Sequence, residues 1–221
     1  RIGVFIDFMS LYQKGSNCHR KDGEQELFEK ALSRMHLWYF HPRIPVFKLT
    51  QMPEGYPEGF RHLFPEGCTP NIASYADRGW CFFESSGASV AKDFDLVLDL
   101  AGDTNESPDL LSVIKDCSEE GLRKPPLTPE RFSEQLERKS FTSKKKDVEF
   151  VGRLYEFGLR HELGRIESLN LLKLHWGANE ALELSRTLSS VPTPQLLELK
   201  LNFNAIGDEG LAALARVRAP R

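Results

Sequence analysis

The apolar residues of this chain fall into three rhythms. Short unbroken apolar runs come first, then amphipathic stretches with helical spacing, then a leucine pattern that returns on itself near the end. Ile2-Gly3-Val4-Phe5-Ile6-Asp7-Phe8 is a short β-branched and aromatic run, the pattern of a strand buried on both faces. The polar stretch from Ser10 to Gly23 reads as a loop. Asp22 with Gln25 three residues on has the arrangement of a capping box. The helix behind it places Leu27, Phe28, Ala31, Leu32, Met35 and Trp38 or Tyr39 on one face. Ile44 to Thr50 predicts a second strand, Met52 to Asn71 a long surface excursion rich in proline and glycine, and Tyr75 to Lys92 a loop leading into a helix. Phe94 to Ala101 predicts a third strand. Strands separated by helices connect as βα units into a parallel sheet, so the class is α/β.

Residues 102–126 are polar and punctuated by prolines, with Leu110 to Cys117 able to form a short helix. Thr128-Pro129-Glu130 is a helix start, a hydroxyl cap followed by proline at the first helical position. A further helix is expected from about Asp147 to Leu163, with Val148, Val151, Leu154, Tyr155 and Leu159 on one side. Lys144-Lys145-Lys146 ahead of it reads as a solvated helix entry rather than a basic contact.

The tail repeats. At an offset of 27 residues Leu169 falls over Leu196, Leu172 over Leu199, Leu174 over Leu201 and Leu184 over Leu211. The second copy carries Leu196, Leu199, Leu201, Asn204, Ile206, Gly207, Asp208 and Gly210, the spacing of a leucine-rich repeat. On this reading Leu172, Leu174, Leu199 and Leu201 point inward, and Lys200 and Asn202 point outward as the binding surface. Asn204 satisfies backbone groups at the turn, Gly207 relieves it sterically, and Asp208 caps a helix that buries Leu211 and Leu214. This second copy resembles the long, helix-containing repeats of the ribonuclease-inhibitor class, also found in NLR-type immune receptors. The first copy departs from it, with Gly177 in place of the asparagine and Asn179-Glu180 in place of Ile-Gly, as a terminal capping repeat would. Two repeats cannot bury their own cores, so more are expected after Arg221.

Composition narrows the function. The net charge is −3 at pH 7, the pI is near 6.1 and the mean hydropathy is −0.39, so nothing draws the chain to nucleic acid or to an anionic membrane. No apolar run approaches a membrane span. Cys18, Cys68, Cys81 and Cys117 are irregularly spaced, which points to reduced thiols in a cytoplasmic protein. Asn105-Glu106-Ser107 is a glycosylation-type triplet followed by Pro108, and nothing else suggests secretion. His19, His36, His41, His62, His161 and His175 lack ligand spacing, and Cys18-His19 has no partners for a metal, so no metal site is expected. Phosphate-loop, HExxH, GxSxG and GxGxxG motifs are not found.

The segment Tyr75-Ala76-Asp77-Arg78-Gly79-Trp80-Cys81-Phe82-Phe83-Glu84 carries the sharpest chemistry. It resembles the Y-x-x-S/R-x-W-C-x-x-E segment of Toll/interleukin-receptor (TIR) domains and related heterokaryon-incompatibility-like domains, and Val4 to Phe8 with Ser10-Leu11 resembles their second strand and loop. The resemblance covers roughly residues 1–100 and implies a domain whose first strand would precede Arg1; the chain reads as a fragment, with a targeting segment ahead of Arg1 left open. In the enzymatic members the motif glutamate cleaves NAD at the nicotinamide–ribose bond, a role that falls by position on Glu84. A carboxylate beside the ribose would stabilise an oxocarbenium-like charge. The plainer reading of the same residues is also physical: a glutamate near a helix start is favoured by the helix dipole, and Trp80, Cys81, Phe82 and Phe83 serve as packing residues.

The expectation is therefore a partial TIR- or flavodoxin-like parallel-sheet domain over residues 1–101, a linker and helical connector over 102–165, and the start of an α/β leucine-rich repeat solenoid over 166–221. The implied function is protein–protein interaction through the repeats, with self-association and signalling through the TIR-like module and no cofactor. The alternative is a TIR-type hydrolase that takes NAD as substrate through Glu84, with Tyr75, Arg78, Trp80 and Cys81 around it.

Overall fold

The computed structural model describes residues 5, 10–12, 20–63, 72–101, 109–118, 123–141 and 144–217. The Ile2–Phe8 strand apart from Phe5, most of the Ser10–Gly23 loop, the Cys18-His19 pair, Cys68 and the Asn105 triplet lie outside these residues. The described architecture is mixed α/β with two small parallel sheets. Contacts divide the chain into two units, Arg1–Met35 with Glu54–Ile72, and His36–Pro53 with Ala73–Arg221.

In the first unit, α1 (Glu24–Leu32) buries none of its residues. Its start differs from the expected box. Gly23 is the residue before the helix, with φ 82°, and neither Asp22 nor Gln25 caps it. Glu24 reaches back instead to accept the Lys21 N–H at 2.8 Å. The helix stops at Leu32, so the face drawn through Trp38 is not one continuous helix; α2 (His36–Tyr39) is a separate turn that belongs to the second unit.

The second unit contains everything else. Strand β1 (Val46–Lys48) pairs in parallel with β2 (Val97–Asp99), Val46 beside Val97 and Lys48 beside Asp99. The connection between them carries α3 (Gly79–Ala91). Two of the expected strands are thus parallel neighbours, though each is only three residues long. Helix α4 (Leu110–Cys117) is capped by Asp109, whose carboxylate accepts the Ser112 N–H at 2.9 Å. Helix α5 (Pro129–Leu136) starts as its sequence dictates, with Thr128 Oγ1 accepting from Arg131 N and proline in the first turn. Helix α6 (Lys144–Leu163) begins three residues before the expected Asp147 and buries Val151, Leu154, Tyr155 and Leu159.

Helices α3 and α6 approach closely because Phe40 fills a slot that two glycines open. A Cβ on Gly87 of α3 would come within 2.5 Å of the Phe40 ring, and one on Gly158 of α6 within 2.8 Å. Phe40 continues into a run of rings through Tyr155, Phe132 and Phe82, with Phe132 stacked on Tyr155 at 3.8 Å and on Phe82 at 4.9 Å. Such stacking adds about 0.5–1.5 kcal/mol per pair to the burial itself. The Tyr155 hydroxyl is satisfied in this core, donating to Leu127 O at 2.9 Å and accepting from Leu127 N at 3.0 Å.

Beyond α6, β3 (Ser168–Asn170) and β4 (Glu198–Lys200) are parallel neighbours, and α7 (Ala178–Ser190) and α8 (Gly207–Ala215) follow them in turn. The register corrects the repeat: Leu169 lies beside Leu199, an offset of 30 residues where the sequence reading has 27. Both offsets align leucines, because the run Leu169, Leu171, Leu172 and Leu174 is dense enough to match either way. The backbone decides between them. Lys173 and Phe203 both take left-handed φ, 57° and 60°, at the same point of the two copies. Leu171 N donates to Lys200 O and Lys173 N to Asn202 O, extending the pairing past the strands. With this register Gly177 stands over Gly207 and Leu184 over Leu214, and Leu174 occupies the place of Asn204. Leu172 is accordingly half-buried and follows the strand, while Leu169 and Leu171 take the inward positions at 0 % exposure. Leu169, Leu171, Leu174, Trp176, Leu184 and Leu188 form the core of this tail, and Leu199, Leu201 and Leu214 pack on it half-buried. Leu201 is therefore less enclosed than expected.

Two expectations for α8 also change. Asp208 sits inside its first turn and makes no cap bond, and Leu211 is 64 % exposed. The buried positions of α8 are Gly210 and Ala213. Gly207 does hold the left-handed φ of 66° that the turn demands.

Candidate functional site

The motif around Glu84 folds as a turn into α3. Tyr75–Asp77 is one 3₁₀ turn, closed by Ser74 Oγ, which donates to the Asp77 carboxylate at 2.7 Å. Arg78 is the residue before α3, and its Nε donates to Ala73 O at 3.0 Å. The segment is tied to the far end of α5: Ser140 N donates to Asp77 O at 2.7 Å, Gly79 N to Ser140 O at 3.0 Å, and Lys139 Nζ to Ala76 O at 2.8 Å. Trp80 turns into the packing, its ring near Phe83 and Phe150.

Beyond the carboxyl end of β1 lies a cavity of about 500 Å³, where ligands commonly sit in open α/β sheets. Lys48 and Thr50 form its strand wall, Tyr75 and Ala76 its turn, Cys81 and Ser85 its helix wall, and Lys139 its outer rim. The structure thus brings Tyr75 and Cys81 together with Lys48, Thr50, Ser85 and Lys139, and leaves Arg78 and Trp80 outside the wall. Among the described residues Glu84 does not line it either. Successive residues step about 100° around a helix, so Cys81, Phe82 and Ser85 share the cavity face and Glu84 stands on its flank, half-buried.

Charge in this cavity is strained by burial. Lys48 is 8 % exposed, and burial lowers its ammonium pKa against the opposing pull of Asp99. Asp99 itself is fixed, accepting from Thr50 Oγ1 at 2.8 Å and from Ala101 N at 3.0 Å. The Tyr75 hydroxyl is pushed upward, first by burial and in smaller part by the charge of Glu84, against a hydrogen bond from Ser85 Oγ at 3.4 Å. Glu84 is thus an electrostatic neighbour of Tyr75. No group of His, Cys, Asp and Glu suited to a metal ion is present among the described residues, and the cysteines there are the half-buried Cys81 and the buried Cys117.

The second candidate surface is the outward side of β3–β4. Lys200 and Asn202 are exposed on it, together with Ser168 and Glu198. Glu198 accepts from Ser168 Oγ at 2.9 Å and pairs with Lys200 at 3.2 Å, which draws its carboxyl below the usual range. Below the strands Asn204 closes the turn. Its Oδ1 accepts from Leu174 N (2.9 Å) and Trp176 N (3.1 Å), and its Nδ2 donates to Leu171 O (2.7 Å) and Leu201 O (3.0 Å). One side chain therefore locks both copies into register. Phe203 beside it is 76 % exposed, with the Lys173 ammonium 5.9 Å from its ring centre.

Comparison with known protein families, curated proteins and solved structures finds no match to this chain.

Besides Lys48, sequence reasoning missed two buried basic side chains. Arg123, 3 % exposed, donates to Ser89 O (2.7 Å) and Val90 O (2.9 Å) at the end of α3 and to Asn170 O (2.9 Å) at the end of β3. Its own carbonyl accepts from Trp176 Nε1 at 2.8 Å. Burial lowers its pKa to about 10, so it stays charged at neutral pH. Lys92 is fully buried and donates to the carbonyls of Trp38 and His41. No periodic pattern surrounds Arg123, which follows a polar segment and precedes Lys124-Pro125-Pro126, so its local sequence carries no signal of burial.

Proposed function

We propose that this protein is a recognition and signalling scaffold: leucine-rich repeats supply a binding surface on the outward side of β3–β4, and a TIR-like module supplies self-association. The observation that carries this reading is the fixed, exposed row of Ser168, Glu198, Lys200 and Asn202 with Phe203 at its end. Asn204 holds the backbone under that row from both copies, so the surface loses little conformational freedom on binding. A mixed polar row beside one exposed aromatic suits a protein surface, where aromatic anchors carry much of the affinity. The test compares proteins co-purified from native cells with wild type and with a Lys200→Glu/Phe203→Ala double variant. A lost partner with an unchanged thermal midpoint supports the reading, and an unchanged partner set removes it.

The cavity beyond β1, with the motif helix as one wall, favours a second reading in which the module cleaves NAD through Glu84. The position of Glu84 on the flank of that wall weighs against it. Glu84→Gln keeps the shape and removes the charge. On this second reading the full-length protein consumes NAD and the variant does not; wild type that leaves NAD intact even when oligomerised returns the assignment to recognition alone.

A further inference from the structure

A second cavity, of about 490 Å³, lies on the other side of Phe82 and Ser85. Four segments distant in sequence enclose it: the buried Lys48 of β1, Ser86 and Ser89 of α3, Pro125 and Leu127 of the connector with Gln135 of α5, and Asn179 and Glu183 of α7. This is the size of a site for a small organic molecule, which usually has apolar walls and a few fixed polar groups. Here Phe82, Pro125 and Leu127 supply the apolar part.

The walls are held through their backbone, which leaves the lining side chains free of those bonds. Thr187 Oγ1 donates to Pro126 O at 2.6 Å, the Tyr155 hydroxyl clamps Leu127 from both sides, and Arg123 ties the connector to α3. The space is preformed, so a ligand would not have to order it.

Charge identifies the class of ligand. Both carboxylates on the rim have donor groups beside them, although the buried Glu183 Oε1 makes no hydrogen bond among the described residues. Glu183 lies between Arg131 at 2.9 Å and Arg186 at 3.4 Å, and Glu180 accepts the Gly177 N–H at 2.9 Å. Arg131 is likewise spent on Glu183. Lys124 is not: its ammonium is on the rim, exposed, and has no partner among the described residues. Ser86, Gln135 and Asn179 also make no side-chain hydrogen bond among the described residues, and they stand ready as neutral donors. A rim whose carboxylates have arginine or N–H neighbours, with one exposed uncommitted cation, the buried Lys48 in its wall and free neutral donors over an apolar floor, is complementary to an anionic oxygen group on an apolar body.

We propose that the cavity bounded by β1, α3, the connector with α5, and the start of α7 binds a small organic anion, with its apolar body against Phe82, Pro125 and Leu127 and its charge at Lys124. The proposal is independent of what the outward face of β3–β4 recognises.

Two fluorescent probes with one skeleton test it on the whole chain: anilinonaphthalene sulfonate, which is anionic, and N-phenylnaphthylamine, which is neutral. The sulfonate should titrate to a single saturable site. Lys124→Glu should weaken it roughly tenfold, the value of a lost charge-assisted bond, and leave the neutral probe within about twofold. Ser86→Phe, which fills the space, should weaken both probes; Asn179→Trp, on an exposed position, does the same job if the α3 variant melts early. Sulfonate binding that neither filling variant changes would overturn the site. Filling variants that act while Lys124→Glu does not would overturn the anionic class.

Discussion

The two halves of the larger unit are stabilised by opposite means. In the tail from Ser168 to Val217, neighbouring copies of one pattern supply the core, and one polar side chain, Asn204, sets their register through four bonds to backbone. Around α3 and α6, the core gathers rings from positions as far apart as Phe40 and Tyr155, and buried cations tie off carbonyls. The first device depends on local spacing and the second on long-range assembly. A substitution in the tail should therefore act through a single register contact, whereas one around α3 should act through the joint between segments.

Arg123 is where the two halves meet, and it should give the largest effect. Arg123→Met leaves the Ser89, Val90 and Asn170 carbonyls without their donor in a buried place, at a cost of about 3–5 kcal/mol in urea unfolding. A loss under about 1 kcal/mol would mean the two halves stand without their joint.

The register of the tail comes next. Leu171 is fully buried and Leu172 half-buried, so Leu171→Ala should cost about 3 kcal/mol and Leu172→Ala clearly less. The reverse order would restore the 27-residue offset. Asn204→Ala should cost about 2–3 kcal/mol by orphaning backbone groups of both copies, against less than about 0.5 kcal/mol for the exposed Asn202→Ala. Equal losses at 202 and 204 would break the contrast between surface and lock.

The smallest expected effect is a slope. Burial pushes Lys92 from its ordinary 10.5 down to about 7, with Glu162 pulling it back up. Between those values the unfolded chain binds more protons than the folded one, so this group makes stability rise with pH above about 7 and leaves it flat below. Lys92→Met removes the dependence. The stability difference between wild type and variant should then move in favour of wild type by on the order of 2 kcal/mol from pH 7 to 9.5. Parallel pH curves for the two proteins would show that Lys92 titrates as in the unfolded chain.

What was legible in the sequence was legible for a local reason. Thr128-Pro129 starts α5 because a cap needs only the next three residues. The apolar spacing of Val151, Leu154, Tyr155 and Leu159 specifies the inner face of α6. Asn204 and Gly207 declare their turn because few residues can satisfy two strands' backbone or hold a φ of 66°. The alternation around Lys200 and Asn202 likewise follows from the two-residue period of a strand.

The tertiary structure alone decided the rest, each time through contacts between distant segments. The closely spaced leucines find leucine partners at an offset of 27 as well as at 30 residues, and only the pairing of Leu169 with Leu199 chooses. Whether Glu84 faces the cavity depends on the rotation of α3 against β1, which no spacing along one helix encodes. Arg123 and Lys92 look like solvated cations in the sequence. They are buried because the carbonyls at the end of α3, and those of Trp38 and His41, converge on them in space, and a charge can leave water only where such acceptors are already assembled.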